Sequence, residues 1–436
     1  MNKPLNRLTA TMHENFSHKV YRDDVITSMF DIDAYKIHMQ QVVYEKYPTV
    51  EVEYSFIDRN KEGLAEYLGE IIQEINKLEN LRFTDDQIDF LHKRVPWLKY
   101  NFIEFLRDFR LDPKRYVRAT DNNGQLEIRV KGPWLKTIYF EIFILAIVSE
   151  VRNRNKFANI PHEQFRKTML EKIKYCKKEI ERRGIRNFKF VEYGTRRRAS
   201  YHMQSDAIDM LIKHMPDEFL GTSNYHFAKE KQIQFHGTVA HEYFAAHQVL
   251  MPLTTHQNDA LKVWDEVFEG NLGVALTDTI TTESFLKGFN LGLANRFTGL
   301  RQDSGNPFNW GEMVIDKYKD LGVDPLTKKL FFTDSLNFEK ALDLAERFQD
   351  EATVMFGMGT FLSNDFGDYK NEDGVKYKPL NIVMKLVIVN GQPVAKISDE
   401  PAKSVCECPY HLANLKARFG VDVDNEQLIK ELKEAA

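Results

Sequence analysis

The sequence predicts an α/β protein whose central part forms a closed or partly closed α/β barrel. Between residues 188 and 385, seven short apolar runs each end in a cluster of Gly, Thr, Asp or Arg and precede a helix-like stretch. Seven strands in succession, spaced by about 12 to 30 residues, are too many for one βαβ unit. A doubly wound sheet is the alternative. Alternating segments on either side of this region predict the strands of a separate domain.

The first third of the chain predicts an α+β domain that ends near residue 130. Residues 51–57 (EVEYSFI) alternate between polar and apolar side chains, as a half-buried strand does. Residues 116–119 and 125–130 flank the turn sequence TDNNG, which predicts a β-hairpin. The stretches 63–78 and 84–93 have the periodicity of amphipathic helices.

A long helix and a C-terminal hairpin lie on either side of the predicted barrel. Residues 162–183 predict a polar helix that ends at Gly184. Asn390 and Gly391, between two apolar runs, are typical of a type I′ turn. This hairpin is similar in style to the first domain, so we expect it to return and pack there. The polar segment 363–378 is either a solvated loop or a flap that orders over substrate.

Composition excludes several classes of function. With 436 residues, 43% of them hydrophobic, the chain can bury a large core, and two domains are expected. A net charge of −4 provides no basic field for nucleic acid or an anionic membrane. The apolar stretch 138–151 is too short to span a bilayer, and MNKPLNRLTA lacks the apolar core of a signal peptide. Cys176 stands alone and Cys406 and Cys408 form an isolated pair, so we expect a reduced, cytoplasmic protein without a zinc site.

The polar clusters that end the seven apolar runs are candidate active-site positions. Parallel α/β folds place their chemistry at the carboxyl ends of the strands. In chain order the clusters read FVEYGTRRR from Phe190, FLGTSN from Phe219, FHGTVAHE from Phe235, VALTDT from Val274, GLRQDSG from Gly299, FFTDS from Phe331 and MFGMGT from Met355.

The sharpest single feature is TVAH in the third cluster. Thr238 is a candidate N-cap for a helix over residues 239–248, which places His241 at the third helical position. The positive end of a helix favours a neutral, nucleophilic imidazole and stabilises a phosphoryl group added to it. Glu242 points about 100° away around the helix. From the residues alone, His241 is otherwise a capping or core histidine, and a metal site shared with His247 is disfavoured because i,i+6 positions do not share a face.

Two clusters of charge suit anionic ligands. Arg301 and Asp303 alternate at a strand end and therefore point the same way, which suits a phosphorylated sugar. Asp303 would contact ribose hydroxyls or magnesium; a structural ion pair is the alternative. The run from Arg196 to Arg198 stands near a helix start, where the dipole disfavours cations. An acidic neighbour such as Glu192, or an anionic ligand, is expected to compensate it, unless the run is simply solvated.

Other strand ends have two interpretations each. Asp278 and Asp334 either cap the helices that follow or hold magnesium or a ribose as pocket carboxylates. Residues 357–360 (GMGT) either let the backbone approach a phosphate or form a tight turn without a ligand. Near the N-terminus, Asp33 is a candidate cap of a helix that contains Tyr35, which is most simply a packing residue.

Taken together, these segments resemble the nicotinate phosphoribosyltransferases over most of the chain. The resemblance implies homodimers in which an irregular α/β barrel lies beside an N-terminal α/β sandwich domain that also receives C-terminal strands. We therefore expect residues 1–133 to form the sandwich domain, 134–380 the barrel, and 381–436 a hairpin and helix that return to the first domain. The motifs run from DIDAYKIHMQQ at Asp31 through YGTRRR, GTSNY, GTVAHEYFAAHQ, LTDTIT, GLRQDSGNP, GMGT and KPLNIVMKL to EPAKSVC at Glu400.

The resemblance also implies a reaction and a set of site residues. Nicotinate and phosphoribosyl pyrophosphate give nicotinate mononucleotide and pyrophosphate for NAD biosynthesis, and ATP hydrolysis is coupled through a phosphohistidine at His241. Magnesium would stabilise the leaving pyrophosphate, with Asp303 and Asp278 orienting ribose and metal. In related enzymes the partner subunit supplies an aromatic residue to a shared active site, and the resemblance makes Tyr35 a candidate for that residue. The resemblance places nicotinate at Tyr35, Arg196, Thr238 and Arg301, with its carboxylate on one of the two arginines, and the phosphoribosyl group at Asp303, Asn224, Gly357, Gly359 and Thr360.

Three alternatives remain open on the sequence. The first is a nicotinamide or quinolinate phosphoribosyltransferase on a similar barrel. The second is a non-catalytic protein that binds sugar phosphates. The third is an aldolase-like barrel enzyme with a Schiff-base lysine such as Lys385, which the pairing of Arg301 with Asp303 fits poorly.

Overall fold

The computed structural model describes residues 24–157, 162–237 and 239–421, which form one antiparallel and one parallel sheet. The antiparallel sheet has the strand order β11-β10-β1-β3-β2, and the parallel sheet has the order β5-β4-β9-β8-β7-β6. The strands are β1 (Glu51–Asp58), β2 (Val117–Asn122), β3 (Gln125–Pro133), β4 (Phe190–Glu192), β5 (Phe219–Thr222), β6 (Val274–Leu276), β7 (Gly299–Gln302), β8 (Lys329–Phe332), β9 (Thr353–Met358), β10 (Ile382–Val389) and β11 (Gln392–Pro393).

Helices surround and join the two sheets. They are α1 (Ala34–Lys46), α2 (Leu68–Lys77), α3 (Asp85–Arg94), α4 (Tyr100–Asp108), α5 (Pro113–Tyr116), α6 (Trp134–Thr137), α7 (Phe140–Lys156), α8 (His162–Arg183), α9 (Tyr201–His214), α10 (Tyr225–Glu230), α11 (His241–Leu250), α12 (His256–Phe268), α13 (Thr282–Gly288), α14 (Leu291–Arg296), α15 (Pro307–Asp320), α16 (Phe338–Phe348), α17 (Thr360–Ser363) and α18 (Pro409–Phe419).

The antiparallel sheet joins the two ends of the chain. Strand β1 is central and pairs with β3 on one side and with β10 on the other. Asn390 and Gly391 connect β10 to β11 with φ values of 47° and 76°, as a type I′ turn requires. The expected return of the C-terminal hairpin to the first domain is therefore confirmed. Its second strand is shorter than predicted, because only Gln392 and Pro393 continue the pairing.

The parallel sheet follows the chain around in order, as an α/β barrel does. Strand β5 extends the sheet beyond β4, whereas β6 to β9 run back from the opposite edge until β9 pairs with β4. The predicted strand at Phe235 is a single bridge to Thr222. It leaves the sheet because Gly237 must pass the start of α1, where an added Cβ would lie 2.8 Å from the Tyr35 nitrogen. Backbone hydrogen bonds among the described residues do not close the sheet between this segment and β6.

Two buried helices lie where the sheets meet. Helix α7 is the apolar stretch noted in the sequence, and it contacts α2, β10 and the turn Thr195–Arg197. Helix α1 begins at the end of β5, where the Ala34 amide donates to the Ser223 carbonyl at 2.7 Å. Both helices are buried over most of their length, so the charged residues they carry must find partners inside the protein.

One hydrophobic core runs through both sheets, and the segments around it follow local rules. Helix α8 buries only Phe165, Met169, Ile173 and Cys176, one face of an amphipathic helix, and ends at Gly184 with φ 64°. Within the described ranges, no helix is long and apolar enough to cross a membrane.

The polar segment 363–378 packs on the helices rather than standing free. Phe366 lies against Phe165, with ring centroids 5.6 Å apart, and Tyr377 lies 4.8 Å from Phe157. Asn364 donates to the Arg197 carbonyl at 2.6 Å, which ties the segment to the second arginine of YGTRRR. These contacts argue against a fully solvated loop; closure over a substrate stays a prediction.

We predict that Ile382→Ala destabilises the protein by about 2–5 kcal/mol, because Ile382 is buried where β10 meets β1 and truncation leaves a cavity. The melting temperature, followed by circular dichroism, should fall clearly below that of the wild type. Leu326→Ala is the matched control, since Leu326 is 55% exposed and should tolerate truncation. Equal melting temperatures for the two variants would contradict a C-terminal strand built into the core.

Candidate active site

Polar segments collect at the carboxyl edge of the parallel sheet. Each strand ends at this edge, so neighbours in the sheet bring their following residues together. The cavity there is also bordered by α11 and by β10 of the other sheet. Its lining residues are Glu141, Arg196, Ala240, His241, Glu242, Ala245, Met384, Lys385, Leu386, Lys396 and Val405.

His241 is the first residue of α11 rather than the third. Ala240 occupies the N-cap position and gives no side-chain capping bond. The predicted cap, Thr238, lies outside the described residues. Its predicted contact with nicotinate therefore stays a prediction. The helix begins later than predicted because Ala240 has an extended backbone, with φ −106° and ψ 165°.

The His241 imidazole lies between two carboxylates. Nε2 is 2.8 Å from Asp278 Oδ1, and Nδ1 is 3.8 Å from Asp303 Oδ2. Burial, and then the positive charge of Lys396, lower the pKa of His241 to about 4 against the opposing effect of Asp278. The ring is therefore neutral at pH 7. Because an ionised carboxylate can only accept, Nε2 carries the proton and Nδ1 keeps its lone pair.

Asp278 is held by three donors rather than capping a helix. Besides His241, it accepts from Ser304 Oγ at 2.5 Å and from Lys396 Nζ at 2.9 Å. Burial opposes its ionisation, but Lys396 and then His241 hold the pKa of Asp278 well below its usual range. Thr281 caps α13 instead, so the capping interpretation of Asp278 is wrong.

Asp334 is not a cap either. Both of its oxygens accept from Lys403 Nζ, at 2.8 and 2.9 Å, and Asn337 caps α16. In both cases the capping residue lies three positions beyond the aspartate, since a turn separates the strand end from the helix. The carboxylates are thereby free to take tertiary partners.

Arg301 and Asp303 face the same way, as their alternation indicates. Arg301 Nη2 lies 3.0 Å from Asp303 Oδ1, and Thr333 at the end of β8 contacts both side chains, at 2.9 and 2.6 Å. Burial opposes ionisation of Asp303, but Arg301 and then His241 hold its pKa well below the usual range. Asp303 is thus an ionised carboxylate, 24% exposed, whose second oxygen faces the His241 ring.

The arginine run of YGTRRR divides among different surroundings. Arg198 is buried in a bidentate pair with Asp31, at 2.7 and 2.8 Å. Arg196 is more loosely held, 3.5 Å from Asp33 and 3.6 Å from Glu141, and its side chain is 35% exposed. The arginine charges are therefore compensated by Asp31, Asp33 and Glu141 rather than by Glu192.

The middle arginine and the nearby glutamate complete this cluster. Burial, and then Arg196, lower the pKa of Arg197 to about 10. Burial raises the pKa of Glu192 to about 7, and its carboxylate accepts from Thr222 at 2.6 Å and from Gln204 at 3.0 Å. Glu192 therefore organises the end of β4 instead of neutralising an arginine.

Tyr35 lies near Arg196 within the same chain. It is the second residue of α1, and its buried hydroxyl has no hydrogen-bond partner among the described residues. Burial raises the pKa of Tyr35 well above its usual range, and the charge of Arg196 opposes the shift. The arrangement therefore supplies an aromatic ring near Arg196 without a partner subunit. Asp33 stands at the N-cap position of α1, but its carboxylate accepts from Ser223 Oγ at 2.6 Å instead of capping the helix.

The glycine turn after β9 is shaped by Tyr193. A Cβ on Gly357 would lie 2.4 Å from the Tyr193 ring, and one on Gly359 would lie 2.7 Å from the Tyr193 carbonyl oxygen. Packing alone thus requires both glycines. Thr360 opens α17, which has only four residues, and stays partly exposed at the edge of the sheet. Contact of Gly357, Gly359 and Thr360 with a phosphoribosyl group stays a prediction.

Asn224 is fully buried and its amide is occupied. Its nitrogen donates to Asp31 at 2.8 Å and to Thr195 at 3.2 Å, and its oxygen accepts from the Phe227 amide. These contacts favour a supporting role behind the site over the predicted contact with the phosphoribosyl group.

The sequence did not predict several site residues, because no local pattern marks them. Lys36, Glu141 and Glu242 form a buried cluster, and Lys396 reaches Asp278 from the C-terminal segment. Lys385, considered only as a Schiff-base lysine, faces the same cavity, and burial together with Lys396 lowers its pKa to about 8. A charged residue in an otherwise apolar stretch, such as Glu141 in α7, was the one usable signal.

The sheet and the charges at its carboxyl edge define an α/β enzyme that acts on small anionic substrates. Cations from three segments, Arg196, Lys385 and Lys396, face the cavity, and His241 is a neutral imidazole oriented by Asp278.

Comparison with known proteins gives the family. The family model for nicotinate phosphoribosyltransferases matches residues 188–423, and the model for their N-terminal domain matches residues 30–149. The nicotinate phosphoribosyltransferase of Vibrio parahaemolyticus is 47% identical over 93% of this chain and 94% of its own. The crystal structure of that from Vibrio cholerae superposes with a TM-score of 0.93 at 45% identity, over 95% and 99% of the two chains. That from Porphyromonas gingivalis gives 0.84 at 30%, over 91% and 100%.

The chain belongs to the nicotinate phosphoribosyltransferase family.

We predict that the His241 imidazole titrates with a pKa of about 4 in NMR spectra of the folded protein, because burial and Lys396 disfavour the charged ring. Lys396→Met should raise this pKa, since it removes a nearby positive charge and leaves Asp278 free to stabilise the imidazolium. The signal is assigned by its loss in His241→Asn. A wild-type value near 6.5 would contradict the buried, neutral ring.

Proposed function

We propose that the protein catalyses the ATP-coupled transfer of a phosphoribosyl group to nicotinate. Nicotinate and phosphoribosyl pyrophosphate give nicotinate mononucleotide and pyrophosphate, while ATP and water give ADP and phosphate. The observation that carries the proposal is the position of His241, neutral and fixed by Asp278, beside the Arg301–Asp303 pair. Membership of the family supports the reaction, and this geometry supports the roles proposed for the residues.

Arg196 is the better of the two candidate arginines for the nicotinate carboxylate. Arg301 is pinned by Asp303 and Thr333, whereas the partners of Arg196 are at 3.5 Å or more and part of its side chain is exposed. A guanidinium that is held loosely can turn to a bidentate pair with a carboxylate. Tyr35 and Tyr193 have buried hydroxyls without a hydrogen-bond partner in the described part of the chain. Both rings lie near the charge of the site arginines and suit packing against a pyridine ring.

Asp303 and Arg301 are placed to receive the phosphoribosyl group. The ring nitrogen of nicotinate attacks ribose C1, the bond from C1 to the pyrophosphate oxygen breaks, and pyrophosphate leaves. Asp303 accepts bonds from ribose hydroxyls, and Arg301 holds anionic oxygens. Both side chains are ordered by Thr333 before any substrate arrives.

The residues present fit a magnesium ion that is carried mainly by the substrate. Among the described residues no group of three or more His, Cys, Asp or Glu side chains could hold a metal. The ionised carboxylate of Asp303 supplies one oxygen ligand, and magnesium commonly binds through one or two carboxylates together with phosphate oxygens. When bound, the ion would neutralise charge on the leaving pyrophosphate.

ATP coupling uses the free nitrogen of His241. Because Nε2–H donates to Asp278, Nδ1 attacks the γ-phosphorus; a nitrogen–phosphorus bond forms, the bond to the β-phosphate oxygen breaks, and ADP leaves. Water later releases phosphate. The two states of the histidine bind the substrates with different affinity, and this difference lets ATP drive product formation.

The homodimer and the cytoplasmic location belong to the same proposal. The family resemblance supports a dimer, although Tyr35 already lies near Arg196 in one chain. Three free cysteines support a reducing compartment. The loose hold on Arg196 favours a pyridine acid over nicotinamide, and quinolinate would also release carbon dioxide.

A pyrophosphate-release assay tests the proposed reaction. With phosphoribosyl pyrophosphate, we expect release with nicotinate and little with nicotinamide, because only the acid can pair with Arg196. ATP should increase the rate or lower the KM for nicotinate. A protein that binds phosphoribosyl pyrophosphate but releases no pyrophosphate with nicotinate and ATP would contradict the proposal.

We predict acid-labile phosphate on Nδ1 of His241 after incubation with ATP, because Asp278 occupies Nε2. Phosphorus NMR or mass spectrometry of the labelled peptide would locate it. His241→Asn should carry none, and Asp278→Asn should slow labelling roughly 10- to 100-fold by releasing the orientation of the ring. His236→Asn is the matched control, since the His236 ring bonds the Leu220 carbonyl at 3.2 Å rather than a carboxylate. Phosphate on Nε2, or retained in His241→Asn, would contradict the assignment.

A further inference from the structure

A buried chain of charges joins the helix of His241 to Arg196. Lys36 on α1 is fully buried between two glutamates, with Nζ 2.7 Å from Glu141 Oε2 and in contact with Glu242 Oε2. The other oxygen of Glu141 lies 3.6 Å from Arg196 Nη1. One lysine is thus shared by two carboxylates, and one of these is shared in turn with the arginine.

Glu242 connects this chain to the phosphorylation site. It follows His241 directly, and both residues line the cavity that Arg196 and Glu141 also line. Its second oxygen accepts from Tyr54 Oη at 3.3 Å and from Trp134 Nε1 at 3.2 Å. Lys385 and Lys396 are the further charged groups that face the same cavity.

The arrangement is not explained by stability alone. A buried ion pair or triad is often no more stabilising than apolar residues of similar size, because desolvating the charges is costly. Here the charges also decide how strongly Arg196 is neutralised. Glu141 interacts with both Lys36 and Arg196. The attraction between Glu242 and Lys36 therefore changes how much of the negative charge of Glu141 acts on Arg196.

We propose that Lys36 and Glu242 are positioning residues that act through Glu141 to set how much of the Arg196 charge is available to the carboxylate of nicotinate. The inference rests on the proposed function and adds the means by which the histidine state reaches the pyridine site. Removing the charge of Glu242 lets Lys36 neutralise Glu141 more fully, which weakens the hold of Glu141 on Arg196 and leaves Asp33, at 3.5 Å, as its remaining partner carboxylate. Removing Lys36 has the opposite effect.

Phosphorylation of His241 has the same effect as removing the charge of Glu242. Burial, despite Lys36, raises the pKa of Glu242 to about 7. A phosphoryl dianion on the adjacent residue favours the protonated form further, with the proton taken from solvent. Neutral Glu242 then releases Lys36 to Glu141, and Arg196 becomes available.

The test measures the KM for nicotinate without ATP in two variants that should change it in opposite directions. Glu242→Gln keeps an acceptor for Tyr54 and Trp134 but loses the charge, and its KM should fall about fivefold or more. Lys36→Met should raise the KM by a similar factor. In Glu242→Gln, added ATP should lower the KM little further, whereas the wild type should show the full effect.

Two controls separate this role from a structural one. Glu150→Gln removes another, partly buried carboxylate of α7 that faces Arg198, at 3.7 Å, and should leave the KM unchanged. The inhibition constant of nicotinamide, which has no carboxylate, should not move in either variant. A shift of both variants in the same direction, an equal shift for nicotinamide, or a full ATP effect in Glu242→Gln overturns the proposal.

Two further outcomes remain decisive. If Lys36→Met does not fold, Glu242→Gln decides alone, and an unchanged or raised KM overturns the proposal. If the wild type shows no nicotinate-dependent release of pyrophosphate, the proposed function fails instead, and the two failures are thereby distinguished.

Discussion

The site depends on the buried carboxylate of Asp278. It follows β6, the edge strand at the opening of the parallel sheet, and accepts from His241 at the start of α11 on the other side of that opening. Ser304 and Lys396 bring the segment after β7 and the C-terminal segment to the same carboxylate. Side chains thus join elements that backbone pairing leaves apart. Removing this acceptor would leave a buried lysine without its ion pair, which is costlier than the loss of one hydrogen bond.

Those parts of the fold that follow short-range rules were predictable from the sequence. Alternation along a strand indicated that Arg301 and Asp303 share a face, and they are in contact. Asn390 and Gly391 indicated a tight turn, which then carries β10 back to β1. The polar strand ends also indicated which edge of the sheet carries the site, because parallel strands end together. In each case the information lies within a few residues.

Contacts between distant segments were not predictable in this way. Capping rules allowed Asp278 and Asp334 to cap helices, but Lys396 and Lys403 reach them from the C-terminal part of the chain. The helical projection correctly kept Glu242 off the His241 ring, yet it gave no sign that Lys36, about two hundred residues away, would bind it. The start of α11 also differs from the prediction, because the backbone of Ala240 is extended rather than helical. Such partners depend on how buried helices meet, which the local pattern does not contain.

The electrostatics of the cavity explain why a neutral histidine and anionic substrates belong together. Burial keeps the His241 ring uncharged, and burial together with Lys396 lowers the pKa of Lys385 to about 8, so the cavity disfavours further positive charge. In the proposed reaction, a phosphoryl group on Nδ1 or a substrate carboxylate would add negative charge there and favour the charged lysine. In the proposed reaction, binding and phosphorylation would therefore act on one shared set of charges. Such an arrangement would convert the state of a histidine into a change of substrate affinity without moving a domain.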